Sequence, residues 1–201
     1  MWTVFIIFVI LLWTVYTILL IWPPHKTCNP FSDSLNALLS RNPTMQKITP
    51  FLWFNDQAEE AMNFYVSIFK NSKITMLRRY GKEGPGPEGS VMTGSFQLEG
   101  QEFMALNGGP HFSFTPAISL FVDCKTQEEV DELWDKLSAG GAPNQCGWVQ
   151  DKFGLSWQII PTALGDMLGD KNPAKAGAAM SAMLKMRKIN IKELQEAYDR
   201  A

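Results

Sequence analysis

The chain has 201 residues and is 46% apolar, which excludes a disordered polypeptide and allows one ordinary domain with an added segment. Its 18 basic and 20 acidic residues leave a formal charge of -2, so no cationic field is available to hold a phosphate backbone, and nucleic acid is excluded as an expected partner. Cys28, Cys124 and Cys146 are too few and too scattered for a disulfide framework, and none forms a CxxC pair, which fits a reducing compartment.

Trp2 to Trp22 carries no charge and is broken only by Thr3, Thr14, Tyr16 and Thr17. At helical rise such a segment spans roughly 30 Å, about a bilayer core, so residues 1–22 are expected to form a transmembrane anchor. Pro23-Pro24 ends it, and Lys26 and Arg41 on the far side place the following domain on the cytosolic side of the membrane. Met45 stands immediately before the first expected strand and keeps a second reading open: a chain starting there would be cytoplasmic, without anchor or linker. Residues 23–44 are rich in Asn, Ser and Pro and read as a linker.

The folded domain is expected over 45–201. Ile48 to Phe54 suits a buried strand, and Asp56-Gln57-Ala58-Glu59 has the spacing of a helix cap. Ala58, Ala61, Met62, Tyr65, Ile68 and Phe69 then fall on one helix face. Lys73 to Tyr80, Ser90 to Leu98 and Gln101 to Asn107 read as three strands, with a loop over Gly81 to Gly89 and a tight turn at Glu99-Gly100. Ile118 to Val122 is again a strand, Thr126 to Glu129 repeats the capping spacing, and Val130, Leu133, Trp134 and Leu137 repeat the stripe before Gly140-Gly141. Gly147 to Gln150 and Leu155 to Ile160 are strands around the Asp151 to Gly154 turn. A shift of 69 residues superposes the two helices, so the order is βαβββ twice, over about 46–109 and 115–161. The tail, 162–201, is helical: Pro173 and Asn190 mark helix starts, and Met180, Met183 and Leu184 form a packing stripe.

Four stretches, Ile48 to Phe69, Gly108 to Gly141, Cys146 to Pro161 and Ala182 to Leu194, resemble the PhnB-like group, also labelled the 3-demethylubiquinone-9 3-methyltransferase domain family. That group belongs to the vicinal oxygen chelate superfamily of glyoxalases, extradiol dioxygenases and bleomycin-resistance proteins. The resemblance covers about Met45 to Tyr198 and implies an α+β fold in which tandem βαβββ modules form a half-open barrel around a cup. It also implies a homodimer, and four inward ligands for a divalent metal. The nearest matches to those ligand positions are Pro50, Ala105, Ala117 and Gln158, and a one-residue slip rescues none of the set. A metal of this kind needs at least three good ligands, so neither metal nor other cofactor is expected.

With Gln158 inward, strand alternation assigns the cup lining to Ile160, Leu52, Phe54, Phe103, Asn107, Ser119 and Phe121, and leaves Trp157, Ile159, Ile118 and Leu120 to the core. Such a lining is apolar with a few neutral polar groups and suits an uncharged or aromatic small molecule. Side chains that simply fill the barrel are the competing reading. Cys124, Cys146 and His111 lack the neighbours of a reactive pair or base, the Gly84 to Pro87 loop reads as a mobile hairpin tip or rim, and no turn resembles a Rossmann-type cofactor site. The expected function is metal-free small-molecule binding. The alternative is an enzyme of the same fold, a methyltransferase on a quinone-like substrate or a lyase, isomerase or dioxygenase, with no catalytic residue assignable.

Overall fold

In a computed structural model, residues 47–201 are described, and residues 48–201 form one unit. The expected anchor and linker, 1–22 and 23–44, lie outside the described residues. None of the described helices is long and apolar enough to cross a membrane.

Each βαβββ unit builds its own sheet. In the first, β1 (Phe51–Phe54), β2 (Lys73–Arg79), β3 (Val91–Leu98) and β4 (Gln101–Asn107) follow the order β1-β4-β3-β2, with β1 parallel to β4 and the remaining pairs antiparallel. In the second, β5 (Ser119–Cys124), β6 (Ala142–Pro143), β7 (Trp148–Gln150) and β8 (Ser156–Pro161) repeat this as β5-β8-β7-β6. Among the described residues, the half-open barrel thus takes the form of two separate four-stranded mixed sheets. Glu99 and Gly100 take positive φ angles of 45° and 88°, as a two-residue hairpin with the sheet's right-handed twist requires. The Gly84 to Pro87 loop lies against the Tyr80 ring. A Cβ on Gly84 or Gly86 would come within 2.7 or 2.4 Å of that ring, so a larger residue at either position would have to displace it.

The helices α1 (Ala58–Ile68) and α2 (Gln127–Ser138) bury the stripes that their periodicity predicts: Ala58, Ala61, Met62, Tyr65 and Ile68 on one, Val130, Leu133, Trp134 and Leu137 on the other. Their starts differ. On α2 the Thr126 side chain accepts the Glu129 N–H at 3.3 Å and the Glu129 carboxylate reaches back to the Lys125 N–H at 2.7 Å, as the spacing predicts. On α1 the side chain of the cap residue Gln57 makes no cap bond, and only its backbone carbonyl accepts from the first turn, from the Ala61 N–H at 2.9 Å. The tail forms α3 (Thr162–Leu168), α4 (Pro173–Met183) and α5 (Ile191–Asp199) around a second small core of Leu164, Met167, Ala179, Ile189 and Leu194. In the expected stripe Met180 and Leu184 are exposed, and Ala179 is the residue that α4 buries.

Both modules share the main core, and its centre is a carboxylate. Asp151, 3% exposed, accepts from the Tyr65 hydroxyl on α1 and the Trp157 indole N–H on β8, each at 2.8 Å. Its other oxygen accepts the backbone N–H groups of Phe153 (2.9 Å) and Leu155 (3.0 Å). Around it Tyr65, Phe69 and Phe153 pack ring on ring with Trp157, Phe54 and Phe64. Burial holds the Asp151 carboxyl above the usual carboxylate range against the four hydrogen bonds that lower it. The stability that this raised value contributes is fully present below the unfolded pKa, near 3.9, and is lost as pH rises through the folded value. We therefore expect Asp151→Asn to abolish that component of the pH dependence in urea denaturation. At pH 7 it should cost about 2–3 kcal/mol, because its amide presents N–H where the Trp157 N–H needs an acceptor.

Candidate functional site

The expected lining divides into three groups. Leu52 and Phe54 are 7% and 3% exposed, lie in the main core and, unlike the equally buried Phe103, do not line the cleft along β5. The physical reason is a loop length: three residues, Asn55 to Gln57, separate β1 from α1, whereas only Lys125 and Thr126 separate β5 from α2. The 69-residue shift that superposes the helices becomes 70 for the strands, where Phe54 corresponds to Cys124. One residue of slip exchanges the two faces of a strand. The opposite face of β1 carries Phe51, which is 52% exposed, and the half-buried Trp53.

Asn107 is also diverted. Its side-chain oxygen accepts the Ala58 N–H at 2.8 Å and its amide donates to the Val91 carbonyl at 2.9 Å, so β4 supplies the cap that α1 lacks from its own sequence. Ile160 packs against the core of the tail. Ile118, expected in the core, lies just before β5 and is 75% exposed.

The third group stays together. Ser119, Phe121 and Phe103 line a cleft of about 700 Å³, and Gln158, opposite Phe121 in the β5–β8 register, donates to the Ser119 hydroxyl at 2.9 Å. One wall of the cleft is β5, which among the described residues pairs with β8 alone and leaves its other edge free. The facing walls come from Phe69 at the end of α1, Leu98 and Gln101 at the β3–β4 turn, Leu133 on α2 and Trp157 on β8. Sequence reasoning missed these because they sit at element ends and on helix faces that strand alternation does not address. Asp151 was legible only as a turn residue; nothing local points to Tyr65, 86 positions away.

A divalent metal of the superfamily does not fit the residues present. Ala105 is fully buried in the core and Pro50 lines the cleft, while Gln158 and Ser119 offer only neutral oxygens, and the Ser119 oxygen already accepts the Gln158 amide N–H. Among the described residues no group of three or more His, Cys, Asp or Glu is placed to hold an ion. Nor is Cys124 a nucleophile: burial, with Glu129 and Asp123 nearby, pushes its thiol up to about 12.

Two βαβββ units with matching mixed sheets place the chain in the vicinal oxygen chelate superfamily. Residues 46–160 match the family model of the 3-demethylubiquinone-9 3-methyltransferases, and the chain belongs to that PhnB-like family. It is similar to a PhnB protein from Bacillus cereus, with 46% identity and a TM-score of 0.55 over 58% of this chain and 99% of that one. It is also similar to a protein from Staphylococcus aureus (38% identity, TM-score 0.28, 56% of this chain and 93% of that one). A glyoxylase/bleomycin resistance protein/dioxygenase domain from Frankia matches at 15% identity, with a TM-score of 0.38 over 56% and 89% of the two chains. No curated protein matches the sequence.

We expect Asn107→Ala to lower stability by about 1–2 kcal/mol in urea denaturation, as loss of a helix cap does. Asn107→Asp, which keeps the acceptor for Ala58 but loses the donor to Val91, should recover part of that loss.

Proposed function

We propose that this domain is a metal-free binding module that holds a small aromatic molecule in the cleft along β5, for sequestration or carriage. The observation that carries the reading is the cleft itself. Its volume of about 700 Å³ falls in the range of small-molecule sites, roughly 300–1,000 Å³. Its walls join aromatic rings, Phe69, Phe103, Phe121 and Trp157, to the Ser119 hydroxyl, which is held from behind by the Gln158 amide. Apolar walls supply affinity by burial, and a few fixed polar groups orient what enters.

A second copy of the chain belongs to this reading. Ile48 and Phe51 beside the free edge of β1, and Ile118 and Phe121 beside the free edge of β5, are between 52% and 82% exposed. Large apolar side chains grouped at unpaired strand edges are costly to leave in water and are ordinarily covered. A homodimer that covers them would also wall the open side of the cleft.

The binding reading predicts that a neutral fluorescent probe, N-phenyl-1-naphthylamine, brightens on the protein and that Ser119→Trp, which fills the cleft, lowers its affinity at least tenfold at an unchanged urea midpoint. Unchanged affinity would sink it. Transfer of label from S-adenosylmethionine to a demethylated quinone would replace it with the methyltransferase reading. For the dimer, light scattering should return twice the chain mass of 22.6 kDa. Phe51→Asp combined with Ile118→Asp should return the monomer; a monomeric parent protein would refute the pairing.

A further inference from the structure

We propose that the ligand of this cleft is a cation with an aromatic or alkyl body, an inference that rests on the cleft being the binding site. The inner walls set the body. Phe69 stacks on Trp157 with ring centroids 5.3 Å apart, and together with Phe103 and Leu133 they present apolar surface and ring faces or edges to an entering group. Aromatic walls favour a positive charge over a negative one, because the ring quadrupole is negative on its face.

The mouth sets the charge. Four carboxylates, Glu99, Asp123, Glu129 and Glu132, stand there against two ammonium groups, Lys70 and Lys125, and all six residues are exposed. Lys125 is engaged in an ion pair with Asp123. Glu132 pairs at 2.6 Å with Lys136, which lies outside the cleft, and Lys70 acts on the same carboxylate through space. Glu129 receives the Lys125 backbone N–H and acts on the Lys125 ammonium through space without forming an ion pair, and Glu99 at the β3–β4 turn forms none either among the described residues, which leaves four carboxylates against Lys70, Lys125 and Lys136. The mouth therefore carries uncompensated negative charge above an apolar floor. A phosphate, carboxylate or sulfonate would meet repulsion there, whereas a protonated or quaternary amine on an apolar body meets both requirements. The strand positions that suggested an uncharged ligand contain none of these six residues, which come from the end of α1, the β3–β4 turn, the end of β5 and the start and face of α2.

Tetraphenylphosphonium and tetraphenylborate have the same shape and opposite charge, so their comparison isolates the inference. In calorimetric titrations of the full chain we expect the phosphonium to bind about tenfold tighter, the scale that a few exposed rim charges supply. The ratio should fall towards one in 1 M salt, where screening acts over about 3 Å. Glu99→Lys should weaken the phosphonium and strengthen the borate, and Ser119→Trp should weaken both. If both ions bind equally, or the borate binds more tightly, and Ser119→Trp still weakens both, the cation preference fails while the cleft stands as the binding site. If Ser119→Trp changes neither affinity, the cleft is not the site and the inference falls with it.

Discussion

A single carboxylate holds the two halves of this domain in one core. Asp151 ends the β7 hairpin, yet its oxygens collect donors from α1 of the first module, from β8 of the second and from two backbone amides of its own turn. A buried carboxylate is tolerated only where its lone pairs are met, and here four donors meet them. The same burial that raises the Asp151 carboxyl holds the Tyr65 phenol well above its ordinary value, with the Asp151 charge adding to it, so Tyr65 remains a donor. The stack of Phe69 on Trp157 depends on this arrangement, because the indole is fixed at its nitrogen. That stack is also part of the wall of the cleft. The linkage between modules and the shape of the site are thus two consequences of one interaction.

Within that frame the two copies of the βαβββ unit have diverged where function would need them alike. The second copy keeps a helix cap in its own sequence at Thr126 and has a two-residue lead into its helix. The first has a three-residue lead, loses the local cap and borrows Asn107 from β4. A residue that strand alternation assigns to a binding cup is thereby committed to holding a helix end. The tail similarly claims Ile160. What remains of the expected lining at the cleft lies on β5 and its neighbours, which makes the cleft one-sided.

The superfamily's metal chemistry depends on donors converging from both modules, and here the matching positions carry a proline, alanines and one glutamine. The chain keeps the architecture and offers a cleft with an aromatic floor and an acidic mouth in place of a ligand sphere. Fold and activity separate at this point, since the residues around the cleft are what a bound molecule meets.

Local pattern in the sequence determined a good deal. The helical stripes from Ala58 to Ile68 and from Val130 to Leu137, the Glu99-Gly100 turn, the Gln101 to Asn107 strand and the repeated unit all follow from periodicity and turn chemistry, which act over a few residues. Facing was less secure, because period two carries no memory of which side is the core. One extra loop residue before α1 reversed Leu52 and Phe54, while on β5 residues of both faces, Ser119 and Phe121 with Leu120 and Val122, lie at the cleft. Only the tertiary structure decided the rest: Asp151 with Tyr65, Asn107 with Ala58, and the six charges gathered at the mouth from α1's end, the β3–β4 turn, β5 and α2. Those meetings join residues tens of positions apart, and they exist only once both modules have closed on a common core.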